Sequence, residues 1–124
     1  MATGLNNLIV YQKSFRLAMR IFEESKHFPK EEKYSLTDQI CRSSRSVCAN
    51  LAEAYRKRKY PAHFLSKLSD ADMENTETQV WLEFSKSCQY CSLEVYDILW
   101  NESQEIGRMI DFMMTHPEKF TRNS

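Results

Sequence analysis

The sequence predicts an all-α protein, an antiparallel up-down-up-down four-helix bundle, and three observations support this fold. The 124 residues include only two Gly and three Pro, too few turn formers for a many-stranded sandwich or barrel. Apolar residues recur every three or four positions along four long segments, which is the spacing of helices with one buried face. Short connections join these segments, so neighbouring helices run antiparallel. The length fits a single domain over residues 1–124.

The first helix is predicted over about residues 7–26, ahead of the boundary that Pro29 marks. Its core stripe is predicted to hold five residues spaced 3, 4, 3 and 4 apart: Leu8, Tyr11, Phe15, Ala18 and Phe22. The other apolar side chains of this helix then form an outward stripe of Val10, Leu17 and Ile21.

The second helix is predicted over about residues 36–58, after a Ser35-Leu-Thr-Asp38 pattern that is typical of a helix start. Its core stripe is predicted to be Leu36, Ile40, Val47, Leu51 and Ala54. The third helix is predicted over about residues 61–87 and begins at Pro61, because proline suits the first helical position. Its core stripe is predicted to include Phe64, Leu68, Ala71 and Leu82.

The fourth helix is predicted over about residues 92–115, with Ser92 as its cap and residues 116–124 as a tail. Its core stripe is predicted to be Val95, Leu99, Ile106, Ile110 and Met113. No apolar run approaches the length of about 20 residues that a membrane-spanning helix needs. Since the N-terminus also lacks a signal-peptide pattern, we expect a cytoplasmic protein with reduced cysteines and no membrane partner.

The charges balance overall but are unevenly distributed. Lys plus Arg and Asp plus Glu each number 17, which argues against a surface built wholly for binding nucleic acid. Residues 42–59 are nevertheless strongly basic, and residues 70–83 contain acidic residues and no basic one. The candidate contact with nucleic acid is the run at the end of the second helix: Arg56, Lys57, Arg58 and Lys59.

Two charged stripes are predicted to face away from the core and to contact other subunits. The second helix carries a basic stripe of Arg42, Arg45, Ala49 and Arg56. The third helix carries an acidic stripe of Asp70, Glu74 and Glu77, with Trp81 and Phe84 beside it. Different but complementary patches make a head-to-tail contact, which closes into a ring. With the outward Val10, Leu17 and Ile21, these residues predict a cyclic homo-oligomer.

A buried polar layer is predicted between the second and third helices. Asn50 lies at the edge of a core stripe, where an unpaired polar group costs about 1–3 kcal/mol. Its predicted partners are Asn75 and Thr78, and Glu53 is placed in the same layer. We assign this layer a structural role that fixes helix register.

The sequence contains no motif of an enzyme or cofactor site. It lacks a Gly-rich phosphate loop, H-E-x-x-H and G-x-S-x-G, so neither an enzyme nor a bound cofactor is expected. One alternative is a small metal-binding or redox protein that uses the C-x-x-C of Cys88 and Cys91. Glu74 and Glu77 have the i, i+3 spacing of carboxylates in di-iron bundles, but no His follows either at the Glu-x-x-His spacing that such metal sites need. A further alternative is a catalyst that uses an unrecognised carboxylate site.

The segment from Gln39 to Ala54, QICRSSRSVCANLAEA, resembles the Q-L-R-R-A-A-x-S-I-x-x-N-I-A-E-G segment of a known family. These are the bacterial four-helix bundle proteins encoded in intervening sequences of 23S ribosomal RNA genes. Further similar segments are Val10-Tyr-Gln-Lys13, Phe28-Pro29 with Glu32, Phe64-Leu65, and Glu74 with Glu77-Thr-Gln79. The resemblance spans about residues 8–90.

The resemblance implies a left-handed antiparallel bundle that assembles as a ring, commonly a homopentamer. The similar accessory variability determinants of diversity-generating retroelements work with a reverse transcriptase and bind nucleic acid through a basic surface. The resemblance therefore implies RNA, DNA or a reverse transcriptase as partner. We expect a non-enzymatic, ring-forming scaffold or accessory protein.

Overall fold

The computed structural model describes residues 4, 5 and 8–121, and within them the regular secondary structure is helical with no strand. Four long helices and one short one follow in order. They are α1 (Ile9–Ser25), α2 (Leu36–Arg56), α3 (Pro61–Ser87), α4 (Leu93–Thr115) and α5 (Glu118–Thr121). A single 3-10 turn, Lys30–Glu32, lies between α1 and α2. The predicted all-α four-helix bundle is confirmed.

The predicted starts of α3 and α4 agree with the structure, whereas the predicted cap of α2 does not. Pro61 opens α3, and the Ser92 hydroxyl accepts a hydrogen bond from the Val95 N–H at 3.1 Å at the start of α4. The predicted Ser35 cap is wrong, since its side chain makes no capping bond. Glu32 replaces it, because its carboxylate accepts the Leu36 N–H at 3.3 Å.

The predicted chain ends are only partly covered by the structure. The predicted start of the first helix at residue 7 lies outside the described residues, as do residues 122–124 of the predicted tail. The rest of that tail is not wholly irregular, because α5 occupies Glu118–Thr121.

Each long helix packs on its neighbours in sequence, and α1 closes the bundle by packing on α4. The contact of α2 with α3 is the most extensive. The ion pairs Lys13–Glu105, at 3.2 Å, and Arg20–Glu102 link α1 to α4 at the surface. This arrangement places the α2–α3 turn at one end of the bundle and the α1–α2 and α3–α4 connections at the other.

The core face predicted for α1 is only partly right: Ala18 is buried, and Leu8 and Tyr11 pack against the core, but other residues are misplaced. Val10, Leu17 and Ile21, predicted to point outward, are only 2%, 3% and 1% exposed and belong to the core. Phe15, predicted to be buried, is 53% exposed. The physical reason is size: where α1 approaches α2 and α4, the aliphatic stripe packs together with the small buried Ser14, while the larger aromatic rings remain at the edge.

Candidate interaction surfaces

The basic residues predicted to contact nucleic acid form a tight turn between α2 and α3. The Lys57 N–H closes α2 on the Ala54 and Glu53 carbonyls, and the Tyr60 N–H donates to the Lys57 carbonyl at 2.9 Å. Arg56, Lys57 and Lys59 are exposed. We call Arg56–Lys59, together with Tyr60, the basic turn.

The cations of the basic turn are free of acidic partners. Within the part of the chain that the structure describes, none of these four side chains forms an ion pair. Arg58 is held by the end of α2, because its Nε donates to the Tyr55 carbonyl at 2.8 Å and its guanidinium lies 3.8 Å from the centre of the Tyr55 ring. The positive charges are therefore available to an external anion.

Charges of opposite sign approach each other across the α2–α3 groove. Lys67 of α3 pairs with Glu53 of α2 at 2.9 Å, and this hydrogen bond raises the pKa of Lys67. Burial raises the pKa of Glu74, the charge of Glu77 adds to the rise, and Arg42 opposes it. Arg42 of the basic stripe therefore lies close to Glu74 of the acidic stripe, and the contact of the two stripes with other subunits stays a prediction.

Some residues of the predicted subunit contact do reach solvent. Arg42, Arg45, Ala49, Arg56, Glu77 and Phe84 are exposed, and Asp70, Glu74 and Trp81 are half-buried. The Trp81 and Phe84 rings lie 5.8 Å apart, and the Trp81 Nε1 donates to the Glu77 carboxylate at 3.3 Å. Val80 adds a further exposed apolar side chain to α3.

Sequence reasoning missed an apolar surface on α1. Phe15 and Met19 are exposed there, and together with Tyr11 they border an open groove of about 480 Å³. The signal is the stripe that contains Tyr11 and Phe15, which the sequence pattern predicts to lie in the core. Further along α1, the Arg45 guanidinium of α2 lies 5.4 Å from the centre of the Phe22 ring.

The predicted polar layer exists with different partners. Asn75 and Thr78 are buried, and Thr78 shares a 2.8 Å hydrogen bond with Ser43 of α2. Asn50 is only half-buried, and its amide donates to the Ser46 carbonyl of its own helix at 2.9 Å. The pairing of Asn50 with Asn75 and Thr78 is wrong because a backbone carbonyl one turn away already satisfies the Asn50 amide.

Glu53 does not belong to this buried layer either. It is exposed and pairs with Lys67. Its carboxylate therefore keeps contact with water, which avoids the cost of burying a charge.

The two cysteines of the C-x-x-C lie at the α3–α4 turn. Cys88 is exposed and Cys91 is half-buried, and between them Gln89 takes a left-handed backbone conformation with φ of 62°. The Tyr90 hydroxyl donates to the Glu32 carboxylate at 2.9 Å, which raises the pKa of Tyr90 to about 12. Among the described residues no three His, Cys, Asp or Glu side chains group as metal ligands.

A polar groove of about 630 Å³ runs between α3 and α4. Asp72 and Asp111 line it together with Arg108 and His116. Burial raises the pKa of Asp72, and the neighbouring charge of Asp111 raises it further. At its floor Gly107 approaches Asn75 closely, since a Cβ on this glycine would lie 3.3 Å from the Asn75 Nδ2.

The family model described as 23S rRNA-intervening sequence protein matches residues 6–111. The chain belongs to this family. The matched region of the 23S rRNA-intervening sequence protein includes the basic turn and the α2–α3 groove. The curated proteins, by contrast, contain no match.

A similar fold occurs in the crystal structure of a protein of unknown function from the S23 ribosomal protein family of Bacteroides thetaiotaomicron. The two structures superpose with a TM-score of 0.79 at 33% sequence identity, over 86% of this chain and 96% of that one. The likeness therefore covers most of this chain. In the described part of this family member, no helix is both long and apolar enough to cross a membrane.

Proposed function

We propose that this protein is a non-enzymatic scaffold or accessory protein that binds RNA, or supports an enzyme acting on nucleic acid, as an oligomer of four-helix bundles. The observation that carries the proposal is the basic turn, where Arg56, Lys57 and Lys59 are exposed and unpaired among the described residues. The family's name refers to 23S rRNA, so RNA is the first nucleic acid to test.

The side chains of this turn are suited to binding phosphate groups, and they provide little specificity for nucleotide sequence. Lys and Arg attract the backbone charges and release counterions, so affinity falls steeply with salt. The first turn of α3 follows directly and carries no acidic residue, which leaves the partial positive charge of that helix end unopposed. In an oligomer the turn is repeated, and several weak contacts add through multivalency.

The test is a fluorescence anisotropy titration of a labelled 20-nucleotide RNA at 50 and 200 mM salt. We expect binding at micromolar protein in 50 mM salt and at least a tenfold loss of affinity at 200 mM, in line with about three or more phosphate contacts. The variant Lys57→Gln/Lys59→Gln should weaken binding and lower the salt slope by about 1 to 2.

The matched control is Lys30→Gln/Lys33→Gln, which removes two exposed lysines at the other end of the bundle. It should leave affinity unchanged. If the wild-type protein binds neither RNA nor DNA in 50 mM salt, or if both double variants weaken binding equally, nucleic-acid binding by the basic turn is wrong.

The oligomer is proposed to be a cyclic homo-oligomer, and the resemblance suggests a pentamer. Support comes from the apolar side chains of α3 that reach solvent, since Phe84 is 53% exposed beside Trp81. Arg45 and Glu77 are exposed charges of opposite sign on different helices, which can pair between subunits. The apolar area supplies association energy at about 25 cal/mol per Å², and the charges set orientation.

Light scattering on the wild-type protein and on Arg45→Glu and Glu77→Arg tests this assembly. Each single variant should shift the protein toward smaller species, and mixing the two should partly restore the larger one where both altered faces meet. Lys33→Glu is the control, because Lys33 is exposed in the α1–α2 connection. A monomeric wild-type protein, or single variants that assemble normally, would contradict the model.

A further inference from the structure

We infer that the basic turn binds single-stranded nucleic acid in preference to a duplex, by stacking an unpaired base on Tyr60. This inference rests on the proposed nucleic-acid function and specifies its substrate. Its basis is the position of an exposed aromatic ring directly among the cations of the turn.

The Tyr60 ring is accessible and has cationic neighbours. Tyr60 is 57% exposed, and the Lys57 ammonium lies 5.8 Å from its ring centre. The His63 ring meets it edge-on, with centroids 6.2 Å apart and planes at 89°. A base stacked on this ring would bring its own phosphates close to Lys57 and Lys59.

The backbone that carries Tyr60 is fixed. Its N–H donates to the Lys57 carbonyl, and its own carbonyl accepts the Phe64 N–H, both at 2.9 Å. Pro61 follows and restricts the backbone of the residue before it. The ring therefore starts from a defined position, and less conformational freedom is lost when a base stacks on it.

Arg58, two residues before Tyr60 in the chain, is a second group of the turn with a fixed position. The Arg58 guanidinium covers the Tyr55 ring at 3.8 Å and is tied to the Tyr55 carbonyl. Arg58 is thus a cation of fixed position close to Tyr60 in the chain, and Arg guanidinium planes as well as aromatic rings stack on splayed bases. The turn combines a positive track with a stacking ring, which is the combination that single-strand binding proteins use.

Between its two ends, a duplex offers no free base face to the Tyr60 ring. Its bases are already stacked and paired, so only its phosphates reach the cations of the turn. Exposing a base would cost the unstacking energy of a duplex step, whereas a single strand offers its base faces directly. The cations of the turn can therefore bind both ligands, whereas the Tyr60 ring stacks on a base of the single strand.

The experiment compares a labelled 12-nucleotide single-stranded RNA with a 12-base-pair RNA duplex by anisotropy at 50 mM salt. In the wild-type protein we expect tighter binding of the single strand. Tyr60→Leu should lower single-strand affinity at least about fivefold and leave duplex affinity unchanged. Tyr60→Phe should keep the single-strand preference, because the phenyl ring still stacks.

The matched control is Tyr34→Leu. Tyr34 is 82% exposed with the Lys33 ammonium 5.3 Å from its ring centre, but α2, 21 residues and about 30 Å long, separates it from the basic turn. It should have no effect on either ligand.

Three outcomes overturn the inference while the proposed function stands: equal wild-type affinity for both ligands, loss of both affinities in Tyr60→Leu, or loss of neither. A wild-type protein that binds neither RNA overturns the proposed function itself. Circular dichroism of each variant establishes that the helices are intact before affinities are compared.

Discussion

Asn75 of α3 and Ser103 of α4 are joined by two hydrogen bonds inside the bundle. The Asn75 Nδ2 donates to the Ser103 carbonyl at 3.0 Å, and the Ser103 hydroxyl donates to the Asn75 Oδ1 at 2.9 Å. Gln79 adds a third bond, from its Nε2 to the Ser103 hydroxyl at 3.0 Å. The network fixes the register of α3 against α4, because sliding one helix along the other would break these three hydrogen bonds.

Asn75→Ala is expected to destabilise the fold by about 1–3 kcal/mol, because it leaves the buried Ser103 hydroxyl without its acceptor. Urea denaturation measures the change in the free energy of unfolding. Thr76→Ala, at the exposed neighbouring position, is the control and should change it by less than about 0.5 kcal/mol. Equal effects of the two variants would show that the network adds nothing to stability.

Gly107→Ala tests the close approach of α4 to Asn75. In an ordinary helix interior this change stabilises by about 1 kcal/mol. Here the new Cβ would lie 3.3 Å from the Asn75 Nδ2, which cannot withdraw without stretching its bond to Ser103. We expect a gain below about 0.5 kcal/mol in the wild-type background and about 1 kcal/mol in Asn75→Ala.

A double-mutant cycle, measured by urea denaturation, tests whether the gain from Gly107→Ala depends on the Asn75 side chain. The free energies of unfolding of the wild-type protein, both single variants and the double variant are compared. Equal gains from Gly107→Ala in both backgrounds would contradict the steric argument.

The sequence predicts the buried residues of α2, α3 and α4 well, although α3 also carries exposed apolar residues such as Met73 and Phe84. It misjudges α1 because Tyr11 and Phe15 recur at helical spacing just as Val10 and Leu17 do, and spacing alone does not show which set is buried. Packing decides between them, since only the other helices show which side chains fit.

The same limit applies to the site. Charge patterning locates the run Arg56–Lys59 directly, because the residue types alone give the charge of each side chain. It does not pair Asn75 with Ser103, since the register of one helix against another depends on three-dimensional packing. The sequence pattern also does not predict that small hydroxyl residues such as Ser14 and Ser43 are buried, because serine is usually treated as a surface residue.

Ser14→Ala is expected to stabilise the protein by about 1 kcal/mol. The Ser14 hydroxyl is buried and has no hydrogen-bond partner among the described residues, and an unsatisfied buried polar group costs about 1–3 kcal/mol. Ser25→Ala is the contrast, because the buried Ser25 hydroxyl donates to the Phe22 carbonyl at 2.7 Å. Thermal denaturation should show a higher midpoint for Ser14→Ala and a lower one for Ser25→Ala; the reverse order would refute the assignment.

Asp72→Asn is expected to stabilise the fold at pH 7 and not at pH 3. Burial and then the Asp111 charge raise the folded-state pKa of Asp72 above the ordinary value of 3.8. The folded protein therefore prefers the protonated acid, and this stability is present below pH 3.8 and lost as the pH rises through the folded-state pKa. Because Asp72 is partly exposed, solvent screening keeps the gain at pH 7 small.

Urea denaturation of Asp72→Asn at pH 7 and pH 3 provides the measurement. Asp111→Asn is the companion variant, since it removes the like charge, and the gain from Asp72→Asn should be smaller in that background. A gain of the same size at both pH values would contradict the electrostatic origin.

The α3–α4 turn gives this protein a convenient chemical handle. Alkylating reagents attack the thiolate form of cysteine at accessible positions. Burial raises the pKa of Cys48 to about 11 and also raises that of Cys91, whereas Cys88 is exposed. A maleimide dye or a surface linker should therefore attach first at Cys88, at the end of the bundle away from Lys57 and Lys59, and leave the basic turn open to ligand.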